Sequence, residues 1–161
     1  MKSRATSGSE TDAEIYNRHR GALIRYASAL VGPSHAEDIL STVVLRTLNR
    51  RSLSSLDRAD AYLFRAVLNE SRSRMRRIQP VELPAEIGLT EDPDVDTTVL
   101  EAVMKLPTQQ RAATYLVYWS DCSIVETASL MGVREGTVKR YLHDARRNLR
   151  KALPEELHDD I

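Results

Sequence analysis

The chain has 161 residues, enough for one medium domain or two small ones, and its 23 Lys and Arg residues balance 23 Asp and Glu residues. It contains no apolar run of the roughly eighteen residues that a membrane-spanning helix needs. The single cysteine, Cys122, excludes an intrachain disulfide and agrees with a cytoplasmic location. Residues 1–11 are polar and lack the apolar centre of a signal peptide, so we predict a disordered leader there.

The charges of this neutral chain are distributed very unevenly. Residues 14–78 carry twelve bases and six acids, a net charge of +6, and residues 102–153 carry nine bases and four acids, a net charge of +5. Between them, residues 79–101 carry seven acids and no base, and residues 154–161 have a net charge of −4. Two basic modules that flank an acidic segment favour an anionic partner, such as a nucleic acid, more than the zero total suggests.

Apolar residues at helical spacing predict three helices in the first module. Thr11 and Glu14 have the spacing of a capping box, so the first helix is expected to begin there and to end at Gly32-Pro33. Ser34 and Glu37 have the same spacing and are predicted to cap the second helix.

A polar loop at 50–56 leads to the third predicted helix, over 60–78, in which residues 72–77 include four arginines and are too charged for a core. Residues 79–98 contain three prolines and six acids, a composition that predicts a flexible linker. Twenty extended residues reach at most roughly 65–70 Å. Helix is predicted to resume at Val99 and, after a pause at Leu106-Pro107, to continue over 108–120.

The segment 123–147 is the most informative part of the chain. Ser123 and Glu126 have capping-box spacing before a short helix with an apolar face, and Gly132 stands where a helix needs a left-handed terminator. The next helix has an apolar stripe and is basic on its other faces. This is the shape and charge of a DNA-reading helix-turn-helix, and an ordinary helical hairpin with a solvated charged face is the alternative. The stripe consists of Val138, Leu142, Ala145 and Leu149.

Together these elements predict an all-α fold, because no strand-like alternation stands out. We expect two small helical domains, at 12–78 and 99–153, joined by the flexible acidic linker. The C-terminal domain is the helix-turn-helix, and 154–161 form a loose acidic tail.

No pattern of catalytic or cofactor-binding residues is evident. The four histidines are scattered, none has metal-ligand spacing with Cys122, and neither a phosphate-cradling glycine loop nor a GxSxG turn is present. His35, Glu37 and Asp38 lie close together, but capping and helix-dipole compensation explain them better than catalysis. We therefore predict no enzyme, no metal site and no cofactor. Cys122 is interpreted as structural or incidental, with a redox switch as the alternative.

Three stretches of the chain resemble extracytoplasmic-function sigma factors of the sigma-70 superfamily. SHAEDILSTVVLRTL at 34–48 resembles the region-two helix with its AED core. DAYLFRAVLNESRSRMRR at 60–77 resembles the promoter-melting helix, with Arg65 and Asn69 at family positions. Residues 103–153 resemble region four from end to end, including LPxxQR, the GV turn, GTVK and LH-x-AR-x-x-L.

The resemblance implies a protein that binds core RNA polymerase, directs it to promoters and helps to open the duplex. Core polymerase and promoter DNA are then the expected partners, and relatives also bind an anti-sigma factor. For the upstream promoter element it implies contacts by Arg134, Thr137, Lys139, Arg140, His143, Arg146 and Arg147. For the downstream element and its melting it implies Arg65, Asn69, Arg72, Arg74, Arg76 and Arg77. For core polymerase it implies Glu37, Asp38, Ile39, Ser41, Thr42 and Leu45.

Two other functions stay open at the level of sequence. A sigma-like module that titrates an anti-sigma partner would not need the arginines of 72–77 or a basic recognition helix. A freestanding helix-turn-helix repressor would need a ligand pocket or a dimerisation seam, and the first module shows a clear pattern for neither.

Overall fold

The computed structural model describes residues 10–77 and 97–156, and all regular structure within these two ranges is helical. The first range contains α1 (Asp12–Val31), α2 (Pro33–Leu48), a single 3₁₀ turn (Leu53–Ser55) and α3 (Ala59–Arg77). The second contains α4 (Thr97–Met104), α5 (Thr108–Tyr118), α6 (Ile124–Met131) and α7 (Glu135–Ala152). The all-α prediction is confirmed. Residues 1–9 of the predicted leader, most of the predicted linker, and residues 157–161 lie outside the described residues.

The N-terminal cap of α1 follows the sequence-based prediction. Thr11 and Glu14 form a reciprocal capping box, and these hydrogen bonds lower the pKa of Glu14. Gly32 ends α1 at a φ of 87°, and its N–H donates to the carbonyl oxygen of Ser28 at 2.8 Å. The glycine is needed there because this backbone conformation is strained for residues with a Cβ.

The predicted cap of α2 at Ser34 is wrong. The helix already begins at Pro33, Gly32 is its N-cap residue, and no side chain caps it by a hydrogen bond. Proline is well suited to the first helical position, because its φ is preset and its missing N–H would have no helical partner there. Glu37 does not cap the helix; it forms an ion pair with Arg20 of α1 at 2.6 Å.

The loop between α2 and α3 contributes an apolar residue to the core, although most of its sequence is polar. Leu53 is fully buried within the 3₁₀ turn. The Ser52 hydroxyl and the Ser54 N–H donate to the Asp12 carboxylate at 2.5 and 2.9 Å, and these bonds lower the pKa of Asp12. The loop is therefore attached to the first turn of α1.

One hydrophobic core extends through both predicted modules. The fully buried ring of Tyr26 in α1 lies 5.0 Å from the ring of Phe64 in α3 and 5.8 Å from the ring of Tyr115 in α5, centroid to centroid. Helix α6 packs on α3 through the same core, which includes Ala128 and Met131. A smaller cluster joins α4 to the second half of α7. The two modules thus pack directly against each other, which the sequence did not predict.

A buried arginine also connects the modules. Arg111 of α5 is 3% exposed, and its Nη1 donates to the carbonyl oxygen of Leu30 near the end of α1. Its Nη2 donates to the carbonyl oxygens of Met104 and, at 2.9 Å, Leu106. Burial lowers the pKa of Arg111 to about 10, so the side chain stays charged at neutral pH. The negative ends of α1 and α4 offset part of the cost of burying this charge.

Candidate nucleic-acid interface

Helices α6 and α7 form the helix-turn-helix that the sequence predicts. Ser123 and Glu126 form a reciprocal capping box, and these hydrogen bonds lower the pKa of Glu126. Gly132 adopts φ 68° and ψ 37°, and the N–H of Val133 donates to the carbonyl oxygen of Ala128 at 3.0 Å. This left-handed turn sets the angle between α6 and α7.

The outer side of α7 presents the basic residues that the resemblance assigns to the upstream element. The four stripe residues of α7 are all buried, which fixes the rotation of the helix about its own axis. Thr137 is half-buried. The other six candidates are exposed, namely Arg134, Lys139, Arg140, His143, Arg146 and Arg147.

Some of these side chains have partners within the chain. Arg146 donates to the hydroxyl oxygen of Tyr118 at 2.5 Å, and Arg147 pairs with Asp144 at 3.1 Å. The Arg140 guanidinium lies 5.9 Å from the centroid of the Tyr141 ring. Arg134 is the N-cap residue of α7 and makes no capping hydrogen bond with its side chain. Contacts within the chain therefore hold Arg146 and Arg147 in place in the C-terminal part of the basic surface. At its N-terminal end, no capping hydrogen bond holds the Arg134 side chain.

Helix α3 carries a second polar row. Arg65, Asn69, Arg72 and Arg76 recur at spacings of four, three and four residues, which places them along one side of the helix. Arg65, Asn69 and Arg76 are exposed, and Arg72 is half-buried. The Arg76 Nε donates to the carbonyl oxygen of Arg72 at 3.4 Å. A row of cationic heads beside an amide can hold a nucleic-acid backbone and hydrogen-bond a base.

The two remaining candidates on α3 differ from this row. Arg74 is half-buried, with its Nη2 at 3.6 Å from the Asp38 carboxylate and 3.4 Å from Nδ1 of His35. Arg77 is exposed at the end of the helix. Arg74 is therefore directed towards α2.

The candidate polymerase-binding residues lie on α2, and one of them, Ile39, is buried although a binding residue should be exposed. Ile39 is 1% exposed and belongs to the core, so it supports this surface from below and does not form it. Leu45 is 63% exposed, and Leu48, which the helical pattern assigned to the inner face of α2, is instead 43% exposed one helical turn later. The spacing of three residues could have revealed this exposed apolar pair. Glu37, Asp38 and Ser41 are exposed as well, and Thr42 is half-buried.

Sequence reasoning also missed an aromatic surface and a cleft. Tyr118 and Trp119 are exposed beside an apolar groove of about 170 Å³ between α4, α5 and α7. A cleft of about 670 Å³ lies between α1, α5 and α6, with Cys122 on its wall. Burial raises the pKa of the Cys122 thiol, which disfavours the reactive thiolate.

Neither a metal cluster nor a membrane-spanning helix is found in the described part of the chain. Within residues 10–77 and 97–156, no three His, Cys, Asp or Glu side chains are grouped so that they could hold a metal ion. No helix in those ranges is both long and apolar enough to cross a membrane.

Known proteins share both halves of this arrangement. Residues 15–80 match the family model for Sigma-70 region 2, and residues 97–149 match the model for Sigma-70, region 4. RNA polymerase sigma-E factor of Streptomyces coelicolor is 35% identical over 157 residues, which cover 91% of this chain and 88% of that protein. ECF RNA polymerase sigma factor SigM of Mycobacterium tuberculosis is 32% identical over 148 residues, covering 87% of this chain and 76% of SigM.

Solved structures share the fold. The sigma factor RpoE of Bartonella quintana, solved in complex with the anti-sigma factor NepR, aligns with a TM-score of 0.60 at 24% identity, covering 87% of this chain and 94% of that chain. CnrH, solved in complex with the cytosolic domain of CnrY, aligns with a TM-score of 0.59 at 22% identity, covering 87% of this chain and 85% of that chain.

A helix-turn-helix with an exposed basic face, together with a region-two module that carries an arginine row, defines a sigma-70-type transcription factor. Within that superfamily the chain belongs to the extracytoplasmic-function (ECF) RNA polymerase sigma factors. Proteins of this class bind core RNA polymerase and promoter DNA and act in transcription initiation.

Proposed function

We propose that α7 reads the upstream promoter element in the major groove. The observation that carries this assignment is the orientation of α7, whose apolar stripe is buried while six basic or imidazole side chains face outward. A recognition helix needs this division, since it contacts base edges with one side and its own domain with the other. Arg134 and the N-terminal end of α7 together suit a phosphate, because helix N-termini attract anions.

The row on α3 is assigned to the downstream element. Asn69 offers both a donor and an acceptor to an unstacked base, and Arg65, Arg72 and Arg76 on the same side would hold the phosphates. Arg77 extends this charge to the end of the helix. Arg74 contributes to the local positive potential while its head group contacts α2.

The outer side of α2 is assigned to core polymerase. Leu45 and Leu48 form an exposed apolar pair, and Glu37, Asp38, Ser41 and Thr42 add polar groups in the preceding turns of the same helix. An apolar centre with a polar rim is typical of a protein–protein interface. Ile39 would contribute only indirectly, by packing α2 against the hydrophobic core.

The protein is proposed to work in the cytoplasm as a non-catalytic subunit. Its described side chains are organised for contacts along three helices and not around one reactive centre. An anti-sigma factor is a further proposed partner, and no residue of this chain is assigned to it.

Run-off transcription with core polymerase on a promoter library tests the assignment of α7. The variant Lys139→Ala/Arg140→Ala should lose selective initiation and upstream binding, because it removes two exposed groups of the proposed reading surface. The matched control is Arg150→Ala/Lys151→Ala, which makes the same change of charge on the last turn of the same helix. If upstream binding and its salt dependence are the same in both variants, α7 is not the reader.

A further inference from the structure

Gly136 is the second residue of α7 and is exposed. A Cβ built on this glycine would meet no atom within 4 Å in the described part of the chain, apart from its neighbouring residues and the backbone of its own helix. Its φ is negative, so the backbone conformation does not require a glycine either. The fold would therefore accept any side chain that forms a helix well.

Two other glycines have clear reasons within the chain. Gly32 and Gly132 both have positive φ, a conformation that is strained for residues with a Cβ. At Gly132, a Cβ would also come within 3 Å of the Nε, Cδ and Cζ atoms of Arg65, so the arginine side chain covers this glycine. Neither reason applies to Gly136.

A glycine at position 136 also makes α7 less stable than an alanine would. Glycine has more backbone freedom to lose when it enters a helix, and it adds no side-chain contact. No contact among the described residues offsets this loss at Gly136. Glycine is favoured, however, where the backbone must come close to a ligand. The exposed surface of α7 around Gly136 has this property.

Gly136 lies in line with basic side chains that are proposed to read the upstream element. At 3.6 residues per turn, positions 136, 140, 143 and 147 fall on one side of the helix. Arg140, His143 and Arg147 are all exposed, and the buried stripe that begins at Val138 lies on the opposite side. The row that faces outward therefore has a gap at the first turn of α7, where a side chain is missing.

The width of the major groove makes such a gap important. A helix with its side chains is roughly 10–12 Å wide, and the major groove of B-DNA is roughly 12 Å wide. We propose that Gly136 is the point at which α7 comes closest to the base edges, and that its missing side chain sets the depth at which Arg140 and His143 reach them. Gly136 is thus a positioning residue, which provides clearance for the contacts of its neighbours. This inference rests on the proposed assignment of α7 to the upstream element.

The clearance affects discrimination between sequences more than overall affinity. Alanine at position 136 would add a methyl group on a bond of about 1.5 Å. Hydrogen bonds to base edges are made at roughly 2.7–3.2 Å, so a shift of the helix by part of that bond length breaks them. Phosphate contacts of long arginine and lysine side chains adjust to the same shift, because these side chains are flexible.

Gly136→Ala tests the clearance in the full chain bound to core polymerase. Affinity for a promoter with the upstream element selected from the library should fall roughly tenfold or more, which corresponds to the loss of about one base contact. Affinity for the same promoter with that element scrambled should not change, and Gly136→Leu should lose the discrimination completely. The Tm of Gly136→Ala should rise by about 1–3 °C, so unfolding cannot explain the loss.

The matched control is Gly21→Ala, at an exposed position of α1 where a Cβ would make only an ordinary contact, 3.5 Å from Nη1 of Arg25. It should raise the Tm and leave discrimination unchanged. Full discrimination by Gly136→Ala overturns the clearance, and an equal loss on both promoters overturns the approach to base edges. Lys139→Ala/Arg140→Ala in the same assay tests the proposed function itself. If this variant also keeps full discrimination, α7 is not the reader; if it alone loses discrimination, only the role of Gly136 fails.

Discussion

Arg74 of α3 forms an ion pair with Asp38 of α2, with 3.6 Å between the guanidinium nitrogen and the carboxylate oxygen. The pair joins a residue proposed for the downstream element to one proposed for core polymerase. Because Asp38 is largely exposed, solvent screens the interaction and its effect on folding is small. The two proposed surfaces of region two are thus adjacent, and a substitution in one of them can affect binding at the other.

Charge reversal at Asp38 is expected to weaken polymerase binding without unfolding the protein. Asp38→Lys places a cation beside Arg74 and on the proposed interface, while the free energy of unfolding should change by about 1 kcal/mol or less. Pull-down of core polymerase measures the first effect, and urea unfolding measures the second. Asp57→Lys, at an exposed position before α3, is the control and should bind normally. Unchanged pull-down by the Asp38 variant would remove α2 from the interface.

Replacement of Arg140 by alanine separates base reading from phosphate contact. A guanidinium that reads a guanine edge should contribute about 1–3 kcal/mol and its loss should relax sequence preference at that position. A phosphate contact would instead lower the salt slope of binding by about 1 and leave the preference intact. Titrations of upstream duplexes at several salt concentrations distinguish the two roles. Arg150→Ala should produce neither change.

Asn69→Ala is expected to impair strand opening and spare polymerase binding. The amide would hydrogen-bond an unstacked base, so its loss should matter most where the duplex must still be melted. Permanganate footprinting on a duplex promoter and on a pre-melted bubble makes this comparison. Asn49→Ala removes an exposed amide at the end of α2 and should behave as the unmodified protein. An equal loss on both templates would place the defect elsewhere than melting.

Arg111→Met should destabilise the folded chain by about 2–5 kcal/mol, because three carbonyl oxygens lose their donor in a buried site. Lysine keeps the charge but lacks the planar fork of donors, so the free energy of unfolding of Arg111→Lys should lie between those of Arg111→Met and the unmodified protein. Urea unfolding gives the values. For comparison, Arg50→Met at an exposed site should change stability by no more than about 0.5 kcal/mol. Equal stability of the two methionine variants would show that Arg111 contributes no net stabilisation.

The capping carboxylate of Glu126 predicts an acid-sensitive helix-turn-helix. Hydrogen bonds from Ser123 lower the pKa of Glu126 in the folded state below its ordinary value of 4.5. The stabilisation by this carboxylate is therefore fully present above that value and is lost as the pH falls through the lower, folded-state pKa. Thermal unfolding of Glu126→Gln and the unmodified protein across this pH range should show a difference at neutral pH that disappears in acid. A difference independent of pH would assign the effect to packing.

Local features of the fold could be predicted from sequence because their causes are local. The capping boxes at Thr11 and Ser123, the left-handed Gly132 and the buried stripe of α7 each depend on spacings of a few residues. The basic face of α7 followed from that stripe. Proline at position 33 overrode the expected Ser34 cap, since a preset φ at the first helical position starts the helix two residues earlier, with Gly32 as the N-cap residue.

Other features depend on which surfaces meet in three dimensions. A helical pattern indicates that one face is buried but not which helix covers it, so the packing of α6 on α3 was not predictable. Ile39 was assigned to an interface through the resemblance of α2 to the region-two helix, and only packing separates the buried and exposed apolar residues of that helix. Arg111 has no sequence signal for burial, because its partners are backbone carbonyl oxygens.

The position of Arg65 over Gly132 connects two residues that are far apart in sequence. The left-handed backbone at Gly132 already disfavours a side chain, and the space where a Cβ would stand is filled by the arginine of the other module. Any larger residue at 132 would have to push this arginine aside. As sequences of this kind diverge, a side chain at 132 should therefore be accompanied by a shorter residue at 65, and correlated substitution of the two positions would record the docked arrangement.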